Sequence, residues 1–311
     1  MGRITVRTSI TRIVLNDDDA VARRRADVLA VEEPLEIRVA GKPLSVTMRT
    51  PGHDVELAAG FLVSEGIIAA GEEFRSAIHC GGPGAGSSDA GALLSIGPAP
   101  VGVLANGENT YNVLDVALAA GIELPSTDIA RNFYTTSSCG VCGTASIDAI
   151  EKNSRYDVRA DPATVDAGLV QRLPDLLRDG QAVFEKTGGL HAAALFDAAT
   201  GELMVLREDV GRHNAVDKVV GWALLNDRLP MAGTVLQVSG RASFELVQKA
   251  VMAGIPILSA VSAPSSLAVE LATSAGLTLI GFVRGSSMNV YSSPARVLAG
   301  RARVLAGEEG G

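Results

Sequence analysis

Thr234-Val235-Leu236-Gln237-Val238, Pro256-Ile257-Leu258-Ser259-Ala260 and Leu277-Thr278-Leu279-Ile280-Gly281-Phe282-Val283 are three short apolar runs, each long enough for one strand. Between them, residues 243–253 and 265–274 repeat apolar side chains at helical spacing. Strand, helix, strand, helix, strand with short loops implies a parallel or mostly parallel sheet covered by helices, so the fold class is α/β, a layered sandwich. Working upstream, residues 214–225 read as a further helix. Residues 190–196 and 202–206 read as a strand pair around a turn at 197–201.

The N-terminal half is less regular. Residues 35–39 and 44–48 alternate with strand period around Ala40-Gly41-Lys42-Pro43, which predicts a hairpin. After Thr50-Pro51-Gly52, residues 54–68 have helical spacing, with Asp54 as the expected N-cap. Gly81-Gly82-Pro83-Gly84-Ala85-Gly86-Ser87-Ser88 is low-complexity sequence; short strands are expected at 92–96 and 101–104, and a weak helix at 144–150. The organisation that follows is an extended arm over 1–30, an α+β portion over 31–150 and an α/β sandwich over 151–311.

Hydrophobic residues make up 47% and charged residues 20% of the 311, which places the chain among globular proteins. A formal net charge of -8 argues against a general nucleic-acid or acidic-membrane surface. No apolar run approaches the ~20 residues that span a bilayer, and the first 25 residues lack a secretory pattern. A cytoplasmic protein is expected, and thiols are kept reduced there.

That compartment bears on Cys139-Gly140-Val141-Cys142, since the chain has one other cysteine, Cys80. A structural zinc site needs four Cys or His ligands, which one C-x-x-C does not supply. Serine and threonine before Cys139 and glycines around both thiols point to an exposed loop with reactive sulfur. A persulfide carrier, a dithiol redox pair, a zinc half-site and two buried structural cysteines all fit the pattern.

The sandwich portion has a regularity of its own. Its strands end in Ser239-Gly240-Arg241, in Ser262-Ala263-Pro264-Ser265-Ser266 and in Arg284-Gly285-Ser286-Ser287. Ligands of open α/β sheets bind beyond the carboxyl ends of strands, where helix starts, glycines and arginines receive phosphates. These loops therefore suit a phosphorylated or nucleotide-like ligand, although ordinary caps and turns use the same residues. Arg212-His213-Asn214, with Lys218 one turn later, is denser in polar groups than a cap requires. His191 serves equally well as a core or a site residue.

Taken in order, several passages resemble the FdhD/NarQ family of formate dehydrogenase accessory proteins. They are Glu32-Glu33-Pro34-Leu35, Thr50-Pro51-Gly52-His53-Asp54-Val55-Glu56-Leu57, Ser138-Cys139-Gly140-Val141-Cys142-Gly143, Thr187-Gly188-Gly189-Leu190-His191, Glu208-Asp209-Val210-Gly211-Arg212-His213-Asn214, Ser239-Gly240-Arg241 and Gly281-Phe282-Val283-Arg284-Gly285. The resemblance implies a cytidine-deaminase-like α/β/α sandwich, usually a homodimer. It implies a sulfur carrier that takes sulfane sulfur from a cysteine desulfurase and passes it to the molybdenum cofactor, as bis(molybdopterin guanine dinucleotide), for formate dehydrogenase. By position, the persulfide falls on Cys139 with Cys142 as helper, and the cofactor-binding stretch on Phe282, Val283, Arg284, Gly285, Ser286 and Ser287. With the loops above, the expected cofactor contacts also include Arg212, His213, Asn214, Lys218, Ser239, Gly240 and Arg241, and no resident metal is expected. A cofactor chaperone that moves no sulfur is the alternative. A zinc deaminase is remote, because the chain has no H-x-E and Ser138 stands where that pattern has proline.

Overall fold

A computed structural model describes residues 3–16, 19–80, 111–122, 124, 150 and 154–300. The low-complexity stretch, the strands expected at 92–96 and 101–104, both cysteines of the C-x-x-C and all but the last residue of the helix expected at 144–150 lie outside these residues. Among the described residues, no helix is long and apolar enough to cross a membrane.

The site is carried by a six-stranded sheet. Its strands are β8 (His191–Asp197), β9 (Leu203–Asp209), β10 (Thr234–Val238), β11 (Ile257–Ala260), β12 (Thr278–Arg284) and β13 (Ser287–Ser292), in the spatial order β13-β12-β11-β10-β8-β9. Every residue of β10 and β11 is buried, which explains their uninterrupted apolar character. Val235, Ile257, Ile280 and Val283 face helix α2 (Ala167–Asp179), together with Ala192, Ala194 and Phe196 of β8. Leu236, Leu258 and Leu279 face the opposite way, towards α4 (Arg212–Leu225), α5 (Phe244–Met252) and α6 (Ser266–Ala275). The sheet thus lies between two helical layers.

A mostly parallel sheet was the expectation, and here the structure differs. Only β10–β11 and β11–β12 are parallel; β12–β13, β10–β8 and β8–β9 are antiparallel. Loop length is the physical reason. Gly285-Ser286 is too short for anything but a hairpin between β12 and β13. The turn between β8 and β9 is closed by Asp197, whose Oδ1 accepts from Ala199 N, Thr200 N and Thr200 Oγ1. Helix α2 and the short α3 (Ala182–Thr187) occupy a stretch to which the sequence reading assigned no element.

Upstream, β3 (Glu33–Val39), β4 (Lys42–Arg49), β5 (Phe74–His79) and β6 (Val113–Leu118) form a four-stranded sheet in the order β4-β3-β6-β5. Its Leu35, Ile37, Leu114 and Val116 share one core with Leu195, Val219 and Leu236 of the larger sheet and its helices. The link is α1 (Asp54–Ser64), which packs on α4. Asp54 is not its cap: His53 holds that position at φ 57, and the Asp54 carboxylate pairs with Arg49 (3.0 and 3.2 Å). Residues 5–30, expected as an extended arm, form an antiparallel hairpin of β1 (Thr5–Asn16) and β2 (Asp19–Ala30). A short parallel pair, β7 (Val165–Asp166) and β14 (Val297–Leu298), completes the described strands.

Candidate functional site

Parallel β10, β11 and β12 end at one edge of the sheet. Strand β8 runs the other way, so it begins there, and β9 ends there. At the end of β9, Asp209 is fully buried and every partner it has is a donor. Its Oδ2 receives Thr50 N at 3.2 Å and pairs with Lys218 Nζ at 2.6 Å; its Oδ1 receives Gly211 N at 2.8 Å and Asn214 Nδ2 at 3.0 Å. Lys218 Nζ also donates to the carbonyl of Thr50 at 3.0 Å. This network fixes the turn from β9 into α4 and aims Gly211 and Arg212 at the edge.

The first cluster of site residues forms at that turn. A Cβ added to Gly240 would lie 3.6 Å from His191 Nδ1 and 3.9 Å from Arg212 Cδ, so these three positions adjoin one another. Ser239 Oγ accepts from Ala192 N (2.9 Å) and lies 3.5 Å from His191 Nδ1. Helix α4 starts at Gly211 without a side-chain cap, and the buried Nε of Arg212 has no hydrogen-bond partner among the described residues. His213 Nε2 lies 3.2 Å from Ser243 Oγ and 3.7 Å from Glu245 Oε2. Burial, then the charges of Arg212 and His213, push the His191 pKa down against the pull of Asp209. The neighbouring His213 imidazole is the chief reason that the Glu245 carboxyl is held down at about 2.

A second cluster forms at the end of β12. The two are joined by a row of backbone bonds, from Ser262 N to the carbonyl of Gly240 (3.4 Å) and from Phe282 N to the carbonyl of Ser262 (3.3 Å). Phe282 sits at φ 54, inside a pairing irregularity between Gly281 and Arg284. A bulky residue in that region costs about 1–2 kcal/mol, and such strain clusters at functional positions. The Arg284 guanidinium lies 5.4 Å from the Phe282 ring centroid, close enough for a cation–π contact. Gly285, Ser286 and Ser287 form the exposed hairpin tip, and the Gly285 carbonyl accepts from Gln171 Nε2 of α2 at 2.8 Å. Arg241 is exposed at the same edge, after β10.

The edge therefore gathers Arg212, His213, Ser239, Gly240 and His191, and carries Phe282 and Arg284 at the far end of the row. Three expected contacts need correction. Val283 is 0% exposed and belongs to the core under α2. Asn214 and Lys218 are buried, at 7% and 1% exposed, and their polar atoms are spent on Met48, Thr47, Thr50 and Asp209. They hold the site up without facing a ligand. Glu245 was missed, because a glutamate in the first turn of a helix reads as a complement to the dipole. Cys139 and Cys142 lie outside the described residues.

The uncapped start of α4 and the three arginines along this edge have the chemistry to receive an anion, and the Phe282 ring offers an aromatic face to a base or a cation. Comparisons with known proteins bear on the family and the fold. The model of the FdhD/NarQ family matches residues 30–298. The chain is 55% identical to the sulfur carrier protein FdhD of Mycolicibacterium paratuberculosis, over 95% of this chain and 99% of that one. It is 55% identical to the protein of the same name from Streptomyces coelicolor, over 96% and 97%, and 56% identical to that of Mycobacterium tuberculosis, over 88% and 92%. A crystal structure from Desulfotalea psychrophila, of a protein assigned as a formate dehydrogenase accessory protein, superposes with a TM-score of 0.68 at 22% identity, over 95% of this chain and all of that one. That last likeness speaks to the fold alone.

Proposed function

We propose, for a chain that belongs to the FdhD/NarQ family, that it is a sulfur carrier serving formate dehydrogenase. The observation that carries this reading is the identity of about 55%, over nearly the whole length of both chains, to proteins named sulfur carrier protein FdhD. The anion-binding edge supports it from the side of the acceptor. The layered sheet is the part we take to be shared with cytidine deaminases, and the cytoplasm, where thiols stay reduced, is the compartment the chemistry suits.

In this reading Cys139 thiolate attacks the terminal sulfur of a cysteine desulfurase persulfide. A Cys139–S–SH bond forms, and the desulfurase leaves as its thiolate. The substrate that receives the sulfur is the molybdenum cofactor in its bis(molybdopterin guanine dinucleotide) form. Arg212, Arg241 and Arg284 neutralise its phosphates, and Ser239 and Gly240 let it approach the backbone. Cys142 thiolate can then attack the inner sulfur of the Cys139 persulfide, forming a disulfide and releasing the outer sulfur as hydrosulfide. A cellular dithiol must afterwards reduce that disulfide, with its own two thiols oxidised in exchange.

Intact mass spectrometry after incubation with a cysteine desulfurase and cysteine tests the proposal. Wild type should gain one sulfur that is absent in Cys139→Ala. If wild type gains none while the edge still binds guanine nucleotide, the chain is a cofactor chaperone and the sulfur step is wrong.

A further inference from the structure

The segment that clasps the far end of the large sheet is written twice in the chain. Ala295-Arg296-Val297-Leu298-Ala299-Gly300 recurs unchanged, seven residues on, as Ala302-Arg303-Val304-Leu305-Ala306-Gly307. The first copy is among the described residues, and its distinctive side chains each have a use there. The Arg296 guanidinium donates to backbone carbonyls: Nη1 to Gly276 (2.7 Å), Nη2 to Val158 (2.7 Å), Arg159 (3.0 Å) and Asp161 (3.1 Å), and Nε to Asp161 (3.3 Å). Five N–H groups in a fixed fork suit such a set of acceptors, which the three of a lysine ammonium cannot cover. Val297 packs on the core under α2, and with Leu298 it forms β14, opposite Val165 and Asp166 of β7. Gly300 turns at φ 58, where glycine carries no steric penalty. The second copy offers the same arginine, the same strand pair and the same glycine.

Two features let this seat change its occupant. Strand β14 is two residues long and Leu298 is 50% exposed, so the pairing specifies its register only weakly. Bringing the second copy into place lengthens the connection from β13 by seven residues, and the cost of closing a loop grows only with the logarithm of its length. A third feature sets the preference. Pro294 opens the turn into the first copy with its φ already fixed, whereas Arg301 stands at that place before the second.

We propose that the seat between residues 158–161, β7 and the start of β12 has two occupants built into the chain. Residues 295–300 fill it in the structure, and residues 302–307 take it when the first copy is lost or withdrawn. In that second register Arg303 meets the carbonyls now held by Arg296, and Val304 and Leu305 stand opposite Val165 and Asp166. What the seat secures is α2. Asp166 is the partner of Leu298 and also the N-cap of α2, accepting from Leu169 N at 3.1 Å. Helix α2 in turn covers Val283 and holds the Gly285 carbonyl through Gln171. A filled seat thus keeps the β12–β13 hairpin tip in place, and the repeat keeps the seat filled.

Urea denaturation and amide exchange of the full chain test this on Arg296→Ala, Arg303→Ala and the double variant. Arg303→Ala should match wild type. Arg296→Ala should shift the midpoint little, keep the amides of 166–169 protected and move protection from 297–298 to 304–305. The double variant should shift the midpoint at least twice as far as Arg296→Ala and open the start of α2 to exchange. A double variant that fails to fold where Arg296→Ala folds is the extreme of the same result. Equal midpoints for Arg296→Ala and the double variant, or an Arg296→Ala chain that does not fold, would overturn the proposal. So would residues 304–305 that stay unprotected in Arg296→Ala.

Discussion

Gly60 of α1 and Gly221 of α4 face each other across a crossing with no room for a side chain. A Cβ on Gly60 would lie 1.8 Å from the backbone oxygen of Asp217, and one on Gly221 would lie 1.8 Å from that of Glu56. Both obstacles are helix backbone, which does not swing aside. The crossing is also the seam through which the N-terminal sheet is held to the helix that carries Arg212 and His213. Gly60→Ala or Gly221→Ala should therefore cost on the order of 3 kcal/mol or more, through forced separation of the helices. Urea denaturation of either variant measures it, and a loss below about 1 kcal/mol would mean that the helices part cheaply.

Lys218 and Asp209 predict a second loss, of a different kind. The two charges are 2.6 Å apart with side chains 1% and 0% exposed, and Asp209 also receives the N–H groups of Thr50 and Gly211. Lys218→Met leaves a buried carboxylate without its cation, for which about 3–5 kcal/mol is the usual cost. Asp209→Asn should not rescue it, because an amide NH₂ would then face either Thr50 N–H or Gly211 N–H, donor against donor. Thermal unfolding of the two single variants and the double variant checks this; a double variant at wild-type stability would refute the geometry.

The centre of the sheet was legible because β10 and β11 are covered on both faces and must be apolar throughout. Strand direction was not, since an apolar run reads alike in either sense and only the lengths of the connecting loops distinguish the two. Helix α2 escaped notice because Pro174 interrupts its pattern, although Leu169, Val170, Leu173 and Leu177 form the buried stripe that seats it. The hairpin of β1 and β2 lacks a buried face, so no alternation marks it. At the site, contiguous residues were grouped as if they faced one ligand. Simple alternation would set Val283 opposite Ile280, but the pairing irregularity at Phe282 returns Val283 to the same core face under α2. Along α4, Asn214 and Lys218 are one turn apart and share the face turned to Thr50, while Arg212 and His213 start the helix at the edge.

Glu56 makes stability depend on acid. Burial opposes its ionisation, but hydrogen bonds from Arg207, at 2.5 and 2.8 Å, and from His53 outweigh burial and hold the carboxyl down at about 2. The folded value lies below the unfolded one of 4.5, so the contribution is complete above about pH 4.5 and is lost as pH falls towards 2. With the side chain 16% exposed, the shift corresponds to at most about 3 kcal/mol. Urea midpoints measured from pH 6 to pH 2.5 should fall more steeply for wild type than for Glu56→Gln. Parallel profiles would show that the Arg207 pair contributes nothing.

Guanosine diphosphate, as a fragment of the proposed substrate, separates ligand-facing residues from those that merely adjoin them in sequence. Arg212 and Arg284 stand at opposite ends of the Gly240–Ser262–Phe282 backbone row. A ligand that spans the row must lose a charge-assisted contact when either is removed, worth about 1.5–3 kcal/mol, or roughly ten- to a hundredfold in affinity. Val283 is next to Arg284 in the chain but lies under α2, so Val283→Ala should cost about 2 kcal/mol of stability and leave affinity alone. Calorimetric titration of Arg212→Ala, Arg284→Ala and Val283→Ala gives the answer. Weakened binding in both arginine variants, with none in Val283→Ala, is expected. Binding that responds to Arg212 alone would confine the ligand to the start of α4, and the strained Phe282 would then need another explanation.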